Sequence, residues 1–111
     1  MKIKKTKIGV ISYIEPESPV ADEGVSQLRQ AVDDCFKESE YKLVINFRSV
    51  PYIDSEGLET LLDILAEVRK KGGSIKLADP NSVCSDILSA TRLDTIFEIY
   101  SSADKAGRSF L

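Results

Sequence analysis

The sequence predicts an α/β fold, a mixed central sheet of four to five strands with about four helices packed against it, in a single domain spanning 1–111. Three observations lead there. Short runs rich in β-branched residues alternate with longer stretches whose apolar residues recur at helical spacing. The connections between them are short and carry proline, glycine, asparagine or serine. A chain of 111 residues with 42% hydrophobic side chains can bury one real core without disulfide or metal staples. Periodicity alone leaves an α+β arrangement open beside this class.

The elements follow in order. "KIKKTKIGVISYIE" reads as one or two strands, the later one buried on both faces. Ile8, Val10, Ser12 and Ile14 would share one side, with Gly9, Ile11 and Tyr13 on the other. Lys2, Lys4, Lys5 and Lys7 alternate with apolar residues and suit the wet side of an edge strand. "EPESPVADEG", with two prolines and four carboxylates, is a loop. From Val25 the period changes. Val25, Leu28, Val32, Cys35 and Phe36 recur as one face of a helix ending near Glu38, while Gln27, Arg29, Asp33, Asp34 and Lys37 face water.

"YKLVINF" reads as a central strand, and Pro51 ends any ladder pairing on that segment. Leu58, Leu61, Leu62, Leu65 and Val68 build a second amphipathic helix, closed by "RKKGG". "SIKLA" is a strand, and "DPN" a turn whose Asn81 or Ser82 caps a third helix with Val83, Ile87 and Leu88 on its buried side. "TIFEIY" is a last short strand, and "SSADKAGRSFL" a terminal helix capped by Ser101 or Ser102.

Composition removes several function classes. Fifteen basic and eighteen acidic residues, for a net charge of −3, argue against nucleic acid as the main partner. The chain has no histidine, so a Ser-His-Asp hydrolase is impossible and a zinc site would be unusual. A G-x-S-x-G elbow, a P-loop and a G-x-G-x-x-G fingerprint are also missing. No catalytic residue, metal ligand or cofactor is therefore assigned. Cys35 and Cys84 stand apart in helical stretches and are expected as reduced, buried thiols, with a disulfide between them as the lesser alternative. Together with the lack of a secretory leader, this favours a cytoplasmic home. No apolar run approaches the ~20 residues that cross a bilayer.

The chemistry concentrates in "VPYIDSEGLETLL". Asp-Ser-Glu-Gly falls where a buried strand gives way to a helix, the edge at which open sheets meet ligands and partners. With Ser55 as N-cap, its hydroxyl would accept a first-turn N–H. Asp54, Glu56 and Glu59 would place negative charge at the positive end of the helix. Gly57 would let the backbone pass closely under whatever lies above it. An ordinary helix start explains all of this. The same geometry also suits modification: a phosphate on an exposed Ser55 would meet free N–H groups and bring close to two negative charges. Glu56, Glu59, Asp63 and Glu67 form one outward stripe, offset by Lys70 and Lys71. It is either a solvated face or a docking strip for a basic surface.

With that motif in view, the chain resembles the STAS domain of bacterial anti-sigma factor antagonists. The resemblance covers the chain from Tyr41 to Ala106 and rests on "LVINFRSVPYIDSEGLETLL", "VRKKGGSIKLA" and "VCSDILSATRLDTIFEIYSSADKA". It departs from the family pattern at "YIEPESPVADEG", where a Gly-x-Leu-Asp motif is usual, at Asn46 in place of an aspartate, and at Glu56 in place of a small hydroxyl residue. The resemblance implies a binding module rather than an enzyme. Ser55 would be phosphorylated by a partner that is both anti-sigma factor and ATP-dependent serine kinase. Unmodified protein would bind that partner, phosphorylation would release it, and a PP2C-type phosphatase would reset the cycle. Asp54 would orient the serine, and Asp54, Ser55, Glu56, Gly57, Glu59, Asp63 and Glu67 would form the partner surface. No nucleic acid and no direct membrane insertion are expected. The alternative is a non-switching STAS subunit or scaffold of a transporter or sensory complex, in which Ser55 is only a cap.

Overall fold

One five-stranded sheet organises the molecule, in the order β1-β2-β3-β4-β5, in a computed structural model that describes residues 3–111. The strands are β1 (Ile3–Ile8), β2 (Ile11–Pro16), β3 (Lys42–Asn46), β4 (Ser74–Ala78) and β5 (Glu98–Tyr100). β1 runs antiparallel to β2, and β2 through β5 are parallel, so the sheet is mixed as expected. Four helices accompany it: α1 (Glu23–Lys37), α2 (Ser55–Lys70), α3 (Ser82–Ala90) and α4 (Ala103–Arg108), with a 3-10 turn at Leu93–Thr95.

β3 is central and covered on both sides, which is why its sequence reads as an uninterrupted apolar run. Leu43 and Ile45 join Ile14, Ile75 and Leu77 in the main core, against Leu28, Val32 and Cys35 of α1 and Leu61, Ile64, Leu65 and Val68 of α2. Val44 looks the other way, into a smaller cluster with Ile11, Ala78 and Ala106 of α4. Burying one such Leu or Ile contributes roughly 1.5–3 kcal/mol. Cys35 and Cys84 are both buried and free, and the Cys84 thiol donates to the Val50 carbonyl at 3.4 Å.

The structure corrects four expectations. Ile8 and Val10 do not share a buried strand face: Ile8 ends β1, paired to Ile11, and Val10 lies with Gly9 (φ 63) in the two-residue turn of a hairpin. α1 begins at Glu23, two residues ahead of the first periodic apolar residue. Val83 is exposed on α3, whose buried residues are Cys84 and Leu88. "TIFEIY" contributes only Glu98–Tyr100 to the sheet, because Thr95 ends a 3-10 turn that plugs Leu93 and Phe97 into the core. β1 is the edge strand that the lysines suggested, and Lys4, Lys5 and Lys7 are exposed; Lys2 lies outside the described residues.

Candidate functional site

The segment after β3 is fastened before it reaches the Asp-Ser-Glu-Gly turn. Asn46 Oδ1 accepts the Arg48 backbone N–H at 3.1 Å, and the Val50 N–H donates to the Phe47 carbonyl at 3.0 Å. Asn81 Nδ2 donates to the carbonyls of Val50 and Pro51, each at 3.3 Å, tying the segment to the start of α3. Arg48 and Ser49 both reach Glu15 at the end of β2. Ile53 then forms a parallel bridge with Val20 of the loop that precedes α1. In it the Val20 N–H donates to the Tyr52 carbonyl at 3.1 Å and the Asp54 N–H to the Val20 carbonyl at 3.3 Å.

That bridge decides the register of the helix start. It holds Asp54 extended, at φ −96 and ψ −179, so Asp54 rather than Ser55 is the N-cap of α2. Its Oδ1 accepts the Gly57 N–H at 2.8 Å. Ser55 becomes the first helical residue and is exposed to solvent. This corrects the expected cap, and the physical reason lies outside the motif. Asp and Ser cap about equally well, so the last residue held extended by Val20 takes the role.

Gly57 is buried, and the close approach it permits is to this same bridge. A Cβ there would lie 2.2 Å from the Val20 carbonyl oxygen and 2.9 Å from Ile53 Cγ2. Gly57 therefore sits beneath the expected partner surface instead of on it.

The acidic stripe also divides. Glu56, Glu59 and Asp63 are exposed. Glu67 is engaged: Arg29 of α1 contacts its Oε2 at 2.6 Å while holding Asp33 at 2.8 Å. The hydrogen bond that Arg29 donates to Glu67 is the largest cause of the raised Arg29 pKa, followed by desolvation, which opposes it, and by Asp33. Glu67 thus ties α2 to α1, and Arg29 joins Lys70 and Lys71 in offsetting the stripe. Two apolar side chains are exposed on neighbouring segments, Tyr52 at 44% on the approach to α2 and Val83 at 49% in the first turn of α3. The position of Tyr52 between Pro51 and buried Ile53 was the available signal. Val83 was hidden by a helical spacing that suggested core.

The assembled feature is an exposed hydroxyl on the first turn of a helix, at the carboxyl edge of a mixed sheet, followed on that helix by exposed Glu56 and Glu59. It is the candidate site of an α/β protein with a mixed sheet. The chain belongs to the STAS domain family, whose model matches residues 2–106. A relative from Thermotoga neapolitana, provisionally named an anti-sigma factor antagonist, is 32% identical over 97 residues, which is 86% of each chain. Among solved structures, one provisionally described as an anti-sigma factor antagonist of Thermotoga maritima superposes with a TM-score of 0.90 at 24% identity, covering 96% of this chain and 92% of that one. The Bacillus cell fate determinant SpoIIAA in its phosphorylated form gives 0.76 at 14% identity, over 99% and 100%. A sulfate transporter family protein from Wolinella succinogenes gives 0.75 at 21% identity, over 87% and 81%. At these identities the solved structures establish a shared fold. Among the described residues, no helix is long and apolar enough to cross a membrane.

Proposed function

We propose that this protein is an anti-sigma factor antagonist that works as a phosphorylation-controlled binding module in a partner-switching circuit, with no catalysis of its own. The observation that carries the proposal is the exposure of Ser55 after Asp54 has taken over the cap. Asp54 serves the hydroxyl by fixing the helix start beneath it. An anti-sigma factor that is also a serine kinase would bring the ATP. The γ-phosphoryl group would pass to Ser55 Oγ, the bond to the β-phosphate would break, ADP would leave, and the hydroxyl proton would pass to the kinase.

The phosphate would add close to two negative charges beside Glu56 and Glu59. Two unit charges about 7 Å apart in water repel by roughly 0.6 kcal/mol, so the field at this edge would change at once. The helix end would tolerate the group, because its dipole and first-turn N–H groups favour anions. An acidic or apolar partner surface docked over Ser55 would be displaced, by repulsion or by the cost of burying the phosphate. A PP2C-type phosphatase would restore the binding form in the cytoplasm.

Incubation with the cognate kinase and ATP should add one phosphate, located on Ser55 by mass spectrometry. Ser55→Ala should hold the partner constitutively, and Ser55→Asp should hold it more weakly. A phosphate elsewhere, or equal binding by both variants, defeats the switch. The fold shared with a transporter-family protein favours a second reading, a fixed STAS subunit with an unmodified serine. Equal binding of a transporter or sensory subunit by both variants would select it.

A further inference from the structure

α2 runs the length of the molecule, its 16 residues spanning about 24 Å, and the end opposite Ser55 has a different chemistry. There the β1–β2 hairpin turns at Gly9 and Val10, β3 begins at Lys42, and α2 closes with Arg69, Lys70 and the cap residue Lys71. Ile8 and Val10 are 62% and 64% exposed. Val10 is the ridge between two hollows. One, of about 330 Å³, is lined by Lys7, Tyr41, Lys42, Lys71 and Gly72. The other, of about 500 Å³, is lined by Ile8, Ile11, Tyr13, Gly107 and Arg108.

The charge of this end is positive. Its acids Glu40 and Asp104 are already paired, with Lys7 at 3.2 Å and Arg108 at 2.6 Å. Glu38 is left over against Lys42, Arg69, Lys70 and Lys71, for which no ion pair forms among the described residues. Lys71 is held on this surface with its Nζ 5.5 Å from the Tyr41 ring centroid and 5.7 Å from that of Phe36. A second copy docked here two-fold would face its own lysines, so like-charge repulsion disfavours self-association. The complementary occupant is both negative and apolar.

We propose that the hairpin end is a second docking surface, for an anionic lipid surface. Ile8 and Val10, exposed at a two-residue turn, are apolar side chains able to enter the boundary between headgroups and acyl chains. Lys42, Lys70 and Lys71 would meet anionic headgroups around it. The docking is peripheral and needs no spanning segment, an option left out by the expectation of no direct membrane insertion. It leaves Ser55 on the far end, facing solvent, and does not depend on whether that serine is modified.

The test is co-sedimentation of the full chain with vesicles of equal parts phosphatidylglycerol and phosphatidylcholine, beside vesicles of phosphatidylcholine alone. Pelleting is expected with the anionic vesicles only, and it should weaken with added salt. Lys42→Gln, at an exposed strand start, should lower the partition about five-fold, the share of one lysine near an anionic surface. Val10→Ser should lower it about ten-fold through lost apolar burial. Circular dichroism of both variants verifies the fold, and either one, if folded, carries the test. No pelleting of the parent chain overturns the proposal. So does loss in Lys42→Gln with full binding by Val10→Ser, which would make this a polar surface for an acidic protein.

Discussion

The two ends of α2 solve different problems with the same backbone. At the Ser55 end, the helix start is locked by residues distant in sequence: Val20 accepts from Asp54, Gly57 lies against that carbonyl, and Asn81 ties down the approach. At the Lys70 end, the hairpin beside it stands free, and a Cβ on Gly9 would meet nothing within 4 Å. One end is acidic, dense and exact in register; the other is basic, with apolar side chains left in water. The difference teaches that the register of a helix start is fixed where segments distant in sequence pack against it, as Val20 and Asn81 do here.

The largest expected effect tests that density. Gly57→Ala forces a methyl group against backbone that cannot step aside, and should cost about 3 kcal/mol in urea unfolding, near the top of the usual overpacking range. Gly9→Ala should cost about 1–2 kcal/mol, through its left-handed backbone alone. Equal losses would erase the contrast between the two ends.

A finer test separates the cap from the exposed serine beside it. Asp54→Ala should lose about 1 kcal/mol of stability. Ser55→Ala, at an exposed position without a capping role, should stay within about 0.5 kcal/mol of the parent. The reverse order in thermal or urea melts would return the cap to Ser55.

Along the stripe between the ends, Glu67→Gln should cost at most about 1 kcal/mol, since Arg29 and Glu67 are both part-exposed. The loss should shrink in high salt. Asp63→Asn, exposed on the same helix, should have no measurable effect on stability, and similar losses at both positions would put the α1–α2 tie in doubt.

The smallest expected effect lies near the hairpin end. The Ser12 hydroxyl, 2.9 Å from Glu40, is the largest cause holding that carboxyl below its ordinary value of 4.5, with Lys7 helping. Because the folded value is the lower one, the associated stability is present above pH 4.5 and is lost as pH falls through the folded pKa. Ser12→Ala should move the Glu40 titration upward, read from its carboxyl carbon by NMR. An unmoved titration would assign the shift to Lys7.

Much of the fold was legible because its signals are local. The apolar run Leu43–Ile45, the leucines of α2 and the basic-Gly-Gly stop each declare an element within one or two turns of chain. Two helix starts were announced by pairs of candidate caps, Asn81 or Ser82 and Ser101 or Ser102, and of these Asn81 and Ser102 cap. The hairpin escaped because Ile8 and Val10 continue the alternation of a strand, although Gly9 interrupts it. Val83 escaped because a helical spacing tells which residues share a face, not where the opposing layer ends.

By itself, the sequence determined the strands and helices, the family, and the presence of Ser55 at a strand-to-helix junction. These follow from periodicity and capping, which act over a few residues. Only the tertiary structure decided that Asp54 caps and leaves Ser55 free, that Gly57 is buried, and that Glu67 belongs to Arg29. Each of those outcomes depends on a bridge or ion pair between segments far apart in the chain, whose meeting is set by packing and not by neighbours in sequence.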